Sequence, residues 1–233
     1  MRIIITGDLH GNPERLQFIQ RKENLTAEDV IVVLGDVGAN YYLSKRDLQT
    51  KQAMNDLGCI IFCIHGNHEA RPQTIPSYQE KIWNGGRVLC ERAFPNILFP
   101  VDGDIFELLG NRCIVIGGAY SVDKDYRLAR GFQWFPDEQP SSEIERYVES
   151  QLQDHKVDIV FSHTCPFKYT PTEMFLPGVD QSTVDNSTEL WLDSLEDDLD
   201  YKVWCCGHWH TDKKVGRMHF LFQCYIELER RDK

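Results

Sequence analysis

Hydrophobic residues along this chain gather into short β-branched runs, and each run breaks off into glycine and polar residues. Ile3–Ile5 leads into Gly7-Asp8-Leu9-His10-Gly11, Val30–Leu34 into Gly35-Asp36-Val37-Gly38, and Ile60–Ile64 into His65-Gly66-Asn67-His68-Glu69. Later, Ile114–Ile116 leads into Gly117-Gly118, Val157–Phe161 into Ser162-His163-Thr164, and Val203–Cys206 into Gly207-His208-Trp209-His210. Short apolar runs bounded by turn residues, without polar alternation, predict strands covered on both faces. Helical patterns fall between several of them. Pro13 suits a first helical turn ahead of Leu16 and Ile19. Ser44 to Leu57 predicts a second helix with Leu48, Met54 and Leu57 inward, Ser141 to Leu152 a third with a serine cap, and Asn186 to Leu199 a fourth. The stretches 88–117 and Lys213–Ile226 read as strands without intervening helices. Alternating strands and helices with such all-strand stretches predict an α/β fold with mixed sheets. The 233 residues contain no repeat and no Gly/Ser linker, so one domain over 1–233 is expected.

The polar residues are unevenly placed. Five of the eight histidines (His10, His68, His163, His208, His210) fall at predicted strand ends, beside Asp8, Asp36 and Asn67. Strand-end loops of an α/β sheet are where ligands bind, and they bring side chains from distant positions to one edge. Asx residues after strands often serve only to satisfy turn amides, but that does not account for the histidines beside them. Asp8 with His10, and His208 with His210, are spaced two apart, so each pair can grip one ion from one side of an extended loop. Imidazole with carboxylate suits Zn, Mn, Fe or Co rather than Ca. Asp8, His10, Asp36, Asn67, His163, His208 and His210 make seven candidate ligands, too many for one ion. Two ions about 3.5–4 Å apart, sharing a carboxylate, have the spacing for in-line displacement at phosphorus.

Taken together, Asp8-x-His10, Gly35-Asp36, Gly66-Asn67-His68-Glu69, His163 and Gly207-His208-x-His210 resemble the calcineurin-like metallophosphoesterases, with five motifs in family order. The resemblance implies a four-layer α-β-β-α sandwich with mixed β-sheets and two divalent metal ions per chain (Mn, Fe or Zn). It implies Asp8, His10, Asp36 and His210 on the first ion, and Asp36, Asn67, His163 and His208 on the second. His68 would protonate the leaving group or clamp the phosphate, and water activated on the metals would attack phosphorus. Where the serine/threonine phosphatase branch has Gly-Asp-x-x-Asp-Arg-Gly, this chain has Ala39, Asn40 and Tyr41, so the carboxylate that would orient the histidine is missing. Scattered short matches are faintly similar to RNA-lariat debranching enzymes.

Lys124, Arg127 and Arg130 follow Gly117–Ser121 and suggest a loop over the site, with Arg127, Arg130 and Asn67 as candidate substrate-phosphate contacts. His65, His155 and His219 lack such neighbours and read as structural or surface residues.

Composition narrows the classes. There are 25 Lys and Arg against 36 Asp and Glu, a formal charge of −11, which argues against a nucleic-acid-coating surface. The acidic balance does not forbid an anionic substrate, because two divalent ions dominate the nearby field. No run of about 18 apolar residues is present, so no membrane partner is expected. Several of the eight cysteines sit inside apolar runs, where free Cys packs as a small hydrophobe, and no secretory segment opens the chain; a cytoplasmic protein with reduced core cysteines is expected. The expectation is therefore a phosphoric ester hydrolase acting on a phosphorylated substrate. Phosphatase action on a phosphomonoester or phosphoprotein stands first, phosphodiesterase or nuclease action second, and a non-catalytic protein-binding scaffold last.

Overall fold

A computed structural model describes residues 1–230. The chain opens with β1 (Ile3–Thr6), α1 (Glu14–Glu23), β2 (Val30–Val33), α2 (Lys45–Asn55) and β3 (Ile60–Cys63). Five strands follow: β4 (Tyr78–Trp83), β5 (Gly86–Glu91), β6 (Ile97–Pro100), β7 (Ile105–Leu108) and β8 (Asn111–Ile116). Helices α3 (Lys124–Arg130) and α4 (Ser142–Gln151) lead to β9 (Ile159–Ser162), α5 (Ser187–Asp198) and β10 (Val203–Cys206). The short strands β11 (Lys213–Val215), β12 (Met218–Phe220) and β13 (Tyr225–Glu227) complete the order.

Two mixed sheets result. The first runs β13-β1-β2-β3-β6-β5-β4 and the second β11-β12-β10-β9-β8-β7. In the first, β1, β2, β3 and β6 are parallel, with Thr6 paired to Val33 and Val33 to Cys63. In the second, β8, β9, β10 and β12 are parallel, with Ile116 paired to Ser162 and Ser162 to Cys206. These registers bring the strand-end loops of each sheet to a common level.

The alternation of side chains then builds the layers. Ile3, Ile5, Val32 and Phe62 of the first sheet pack against Phe106, Val115, Phe161 and Cys205 of the second, all buried between the sheets. Ile4, Ile31 and Ile61 point the other way, onto Leu16 and Ile19 of α1 and Met54 of α2. On the far side, Ile114, Val160 and Trp204 meet Val148 of α4 and Leu192 of α5. The fold is the expected four-layer α-β-β-α sandwich. Each fully buried aliphatic or phenyl side chain contributes about 1.5–3 kcal/mol, so all three apolar layers stabilise the sandwich.

Local departures have local causes. Leu48, expected inward, is exposed, and α2 instead buries Asp47 and Lys51. Asp47 accepts the N–H groups of Tyr42 and Leu43, and Lys51 pairs with Glu91 of β5 at 2.5 Å. The expected loop at 124–130 is helix α3. Six of the eight cysteines are buried and free, whereas Cys90 is half-buried and Cys224 exposed. No described helix is long and apolar enough to cross a membrane.

Candidate metal centre

All seven candidate ligands lie at the strand-end edge where the two sheets meet. Asp8 and His10 follow β1, Asp36 follows β2, Asn67 follows β3, His163 follows β9, and His208 and His210 follow β10. Four of them, His10, Asp36, His208 and His210, hold φ between 44° and 63°, the left-handed region that costs a non-glycine residue about 1–2 kcal/mol. Such backbone cost concentrates where side chains must point somewhere particular. Two glycines let the loops close in: a Cβ on Gly35 would run into the His163 ring, and one on Gly66 into the Asp36 backbone.

Asp8, His10 and His210 present ligand atoms all within 4.8 Å of one another. The His210 Nε2 is 3.2 Å from Asp8 Oδ2 and 2.8 Å from His10 Nε2. Asp36 stands between this group and the next: its Oδ2 lies 3.8 Å from His10 and 3.7 Å from His68, and its Oδ1 lies 3.5 Å from His163 Nε2. Backbone N–H groups fix both carboxylates, that of His208 donating to Asp8 at 3.1 Å and that of His68 to Asp36 at 2.8 Å.

The second group has the stronger signature of a cation. Asn67 Nδ2 donates to Ser121 Oγ at 2.8 Å, which turns its Oδ1 toward His163 Nε2 at 2.8 Å and His208 Nδ1 at 3.2 Å. The other His163 nitrogen, Nδ1, lies 2.7 Å from the carbonyl of Leu34 and must donate there. In the neutral ring Nε2 is then an unprotonated acceptor facing another acceptor, an arrangement that a shared metal ion satisfies. The residues present therefore fit two divalent ions. Asp8, His10, Asp36 and His210 could hold one, and Asp36, Asn67, His163 and His208 the other.

The electrostatics agree with that division. Burial would raise the Asp36 carboxyl, but His68, His163 and His10 around it hold it below the ordinary carboxylate range. Burial, and then the adjacent His163, push His208 well below the ordinary imidazole value, which keeps it neutral and able to ligate. His210 is raised, first by its hydrogen bond to Asp8. Beneath the centre, burial and the Asp36 charge push the Glu69 carboxyl up to about 8, while its Oε1 accepts from Val37 and Gly66.

His68 is oriented by a residue outside the second motif. Arg127 Nη2 lies 3.4 Å from His68 Nε2, and Asp123 grips Arg127 at 2.8 Å. Asn40 is turned away, its Oδ1 accepting from Tyr78. Arg130 does not join the site: it is exposed on α3, with its guanidinium over Tyr126. Ser121 was hidden in the sequence among turn residues, yet it follows β8 as the ligands follow their own strands. Glu138 holds it, accepting its N–H at 3.1 Å and the Trp134 indole at 2.8 Å.

Two cavities meet at Asp36 and His68. One, of about 260 Å³, is walled by Val122, Phe175, Leu176, Val179, Val184 and Trp209 among others. The second, of about 200 Å³, is lined by His10, Tyr41, Tyr42, Arg46 and Thr50.

Comparison with known proteins agrees with the geometry. The family model of the calcineurin-like phosphoesterases matches residues 1–212. The protein TT1561 of Thermus thermophilus superposes with a TM-score of 0.54 at 12% identity, over 99% of each chain. The phosphopantetheinyl hydrolase of Mycobacterium tuberculosis superposes with a TM-score of 0.48 at 14% identity, over 95% of this chain and 88% of that one. No curated protein matches the sequence. With the family model spanning nearly the whole chain and the strand-end donors gathered at one edge, the chain belongs to the calcineurin-like phosphoesterase family.

Proposed function

We propose that this hydrolase cleaves a phosphoester at a dinuclear centre built on Asp8, His10, Asp36, Asn67, His163, His208 and His210, without a covalent enzyme intermediate. The carrying observation is the convergence of Asn67 Oδ1 and His163 Nε2, 2.8 Å apart and both acceptors when the neutral His163 ring donates from Nδ1 to Leu34. Two bound divalent ions supply water of lowered pKa and neutralise charge on the phosphoryl oxygens. The chain's own residues do the rest. Asp36 faces both groups of donors and holds them in register. Arg127 binds a non-bridging phosphoryl oxygen, and in doing so frees His68 Nε2 to take up a proton from solvent water and pass it to the departing oxygen. Asp123 keeps Arg127 aimed at that place.

A phosphomonoester is the reading that the motifs put first. The pair of cavities meeting at Asp36 and His68 favours a second reading, a phosphodiester with one substituent in each. The test is hydrolysis of nitrophenyl phosphate and bis-nitrophenyl phosphate side by side, with Mn returned to stripped protein. Turnover of the monoester alone supports a phosphatase, and equal or faster diester turnover supports a phosphodiesterase. Metal-independent turnover, or none with metals bound, contradicts the proposal.

A further inference from the structure

The larger cavity is more than an entrance to the metal centre. Its inner end is formed by Asp36, Asn67, His68, His208 and His210, so a phosphoryl group seated on the metal ligands has this space directly beside it. Its outer wall comes from the segment between β9 and α5, which presents Phe175, Leu176, Val179 and Val184 opposite Trp209. Phe175 and Trp209 face one another with ring centroids 6.2 Å apart. Leu176 is 56% exposed, an apolar side chain left facing the cavity and water rather than the core. Among the described residues no Lys or Arg lines the space, whereas Asp123, Asp185 and Glu189 do. Asp123 is already paired with Arg127 and burial raises the Glu189 carboxyl, so Asp185, held below the ordinary carboxylate range first by its hydrogen bond from Ser187, is the charge that a second anionic group would meet. The contrast with the neighbouring cavity is plain, since there Arg46 lies over Tyr42 at 4.0 Å from the ring centroid.

We propose that this cavity is the specificity pocket of the enzyme and takes an uncharged, apolar substituent of the phosphoester, an alkyl chain or aryl ring. The assignment rests on the phosphoesterase reading above and adds the substrate class to it. Apolar area removed from water sets the size of the effect. Each methylene buried is worth about 0.8 kcal/mol, or roughly fourfold in affinity.

The experiment titrates the Mn-loaded protein with inorganic phosphate and with n-alkylphosphonates from methyl to octyl, read by calorimetry. Affinity is expected to climb roughly fourfold per methylene until the cavity is filled. Leu176→Asp is expected to lower octylphosphonate affinity at least tenfold and to flatten the series, and Phe175→Ala to reduce its slope. Ile82→Asp, at a 69% exposed position on β4 that does not line the cavity, is expected to keep the slope. Binding of phosphate and every phosphonate with one common affinity would overturn the pocket while leaving the phosphoesterase reading standing. A slope that survives both Leu176→Asp and Phe175→Ala would overturn its location. Failure of phosphate and of every phosphonate to bind would overturn the phosphoesterase reading itself, and the pocket with it.

Discussion

Ser121 Oγ accepts the Asn67 side-chain amide at 2.8 Å, and this single bond decides which atom Asn67 turns toward His163 and His208. Without it the amide could flip and present N–H groups to the same nitrogens. Ser121→Ala is therefore expected to weaken the second metal ion by about 10–100-fold, the usual cost of removing a partner behind a ligand. Metal titration of the stripped variant checks it, and unchanged affinity for two ions would remove Ser121 from the account. Ser121→Thr, which keeps the hydroxyl, should restore binding.

Asp36 faces donors on both sides, within 3.8 Å of His10 and 3.5 Å of His163. Asp36→Ala should abolish turnover and leave fewer than two ions per chain by elemental analysis. Retention of two ions and full activity would mean that the bridge lies elsewhere.

Arg127 and Arg130 share helix α3 but separate in role. Arg127→Ala removes a charged contact to the phosphoryl oxygen and is expected to lower kcat/KM about 10–100-fold. Arg130→Ala, which disturbs only an exposed stacking on Tyr126, should change it less than twofold. His68→Ala should retain both metals while turnover falls by roughly 10²–10⁴-fold. Steady-state kinetics of the three variants on one ester, with metal content measured alongside, tests the assignment.

Far from the centre, Asp104 links three layers. It accepts from Arg87 of β5 at 2.7 Å and from Tyr147 of α4 at 2.8 Å, and lies just before β7. Burial alone would raise its carboxyl, but these bonds hold it below the ordinary carboxylate range. A depressed carboxyl contributes stability that is complete above the unfolded-state pKa of about 3.9 and is lost as pH falls through the folded value. Asp104→Asn is thus expected to cost about 1–3 kcal/mol near neutral pH. The gap from the unaltered protein should narrow below about pH 4. Urea unfolding at several pH values measures both, and a gap that stays constant into acid would dismiss the linkage.

The strands that carry the ligands were legible because each is a β-branched run ending in glycine, and burial on both faces leaves that pattern unbroken. Edge elements were not. β4 is Tyr-Gln-Glu-Lys-Ile-Trp, its middle four residues exposed, so no apolar run marks it. Helix α3 buries no residue and offers no apolar stripe, which is why 124–130 reads as a loop. Leu48 misled because α2 buries Asp47, which accepts the N–H groups of Tyr42 and Leu43 just ahead of the helix, and Lys51, whose partner Glu91 lies on a distant strand. At the centre the ligands were legible as residue types at strand ends. Arg127 was named as a phosphate contact, but its contact with His68, the supporting hydroxyl of Ser121 and the walls formed by Phe175 and Leu176 were not legible, since each depends on which distant loops fold over the edge.

The donors hang from two different sheets: Asp8, His10, Asp36 and Asn67 from one, His163, His208 and His210 from the other. Ions held by both sets would act as rivets through the seam, so that any sliding of one sheet over its partner would first have to pull His210 from one ion or His163 and His208 from the other. Grip on the ions and resistance of the sandwich to shear are then one quantity seen from two sides, because whatever binds only the assembled state also stabilises it.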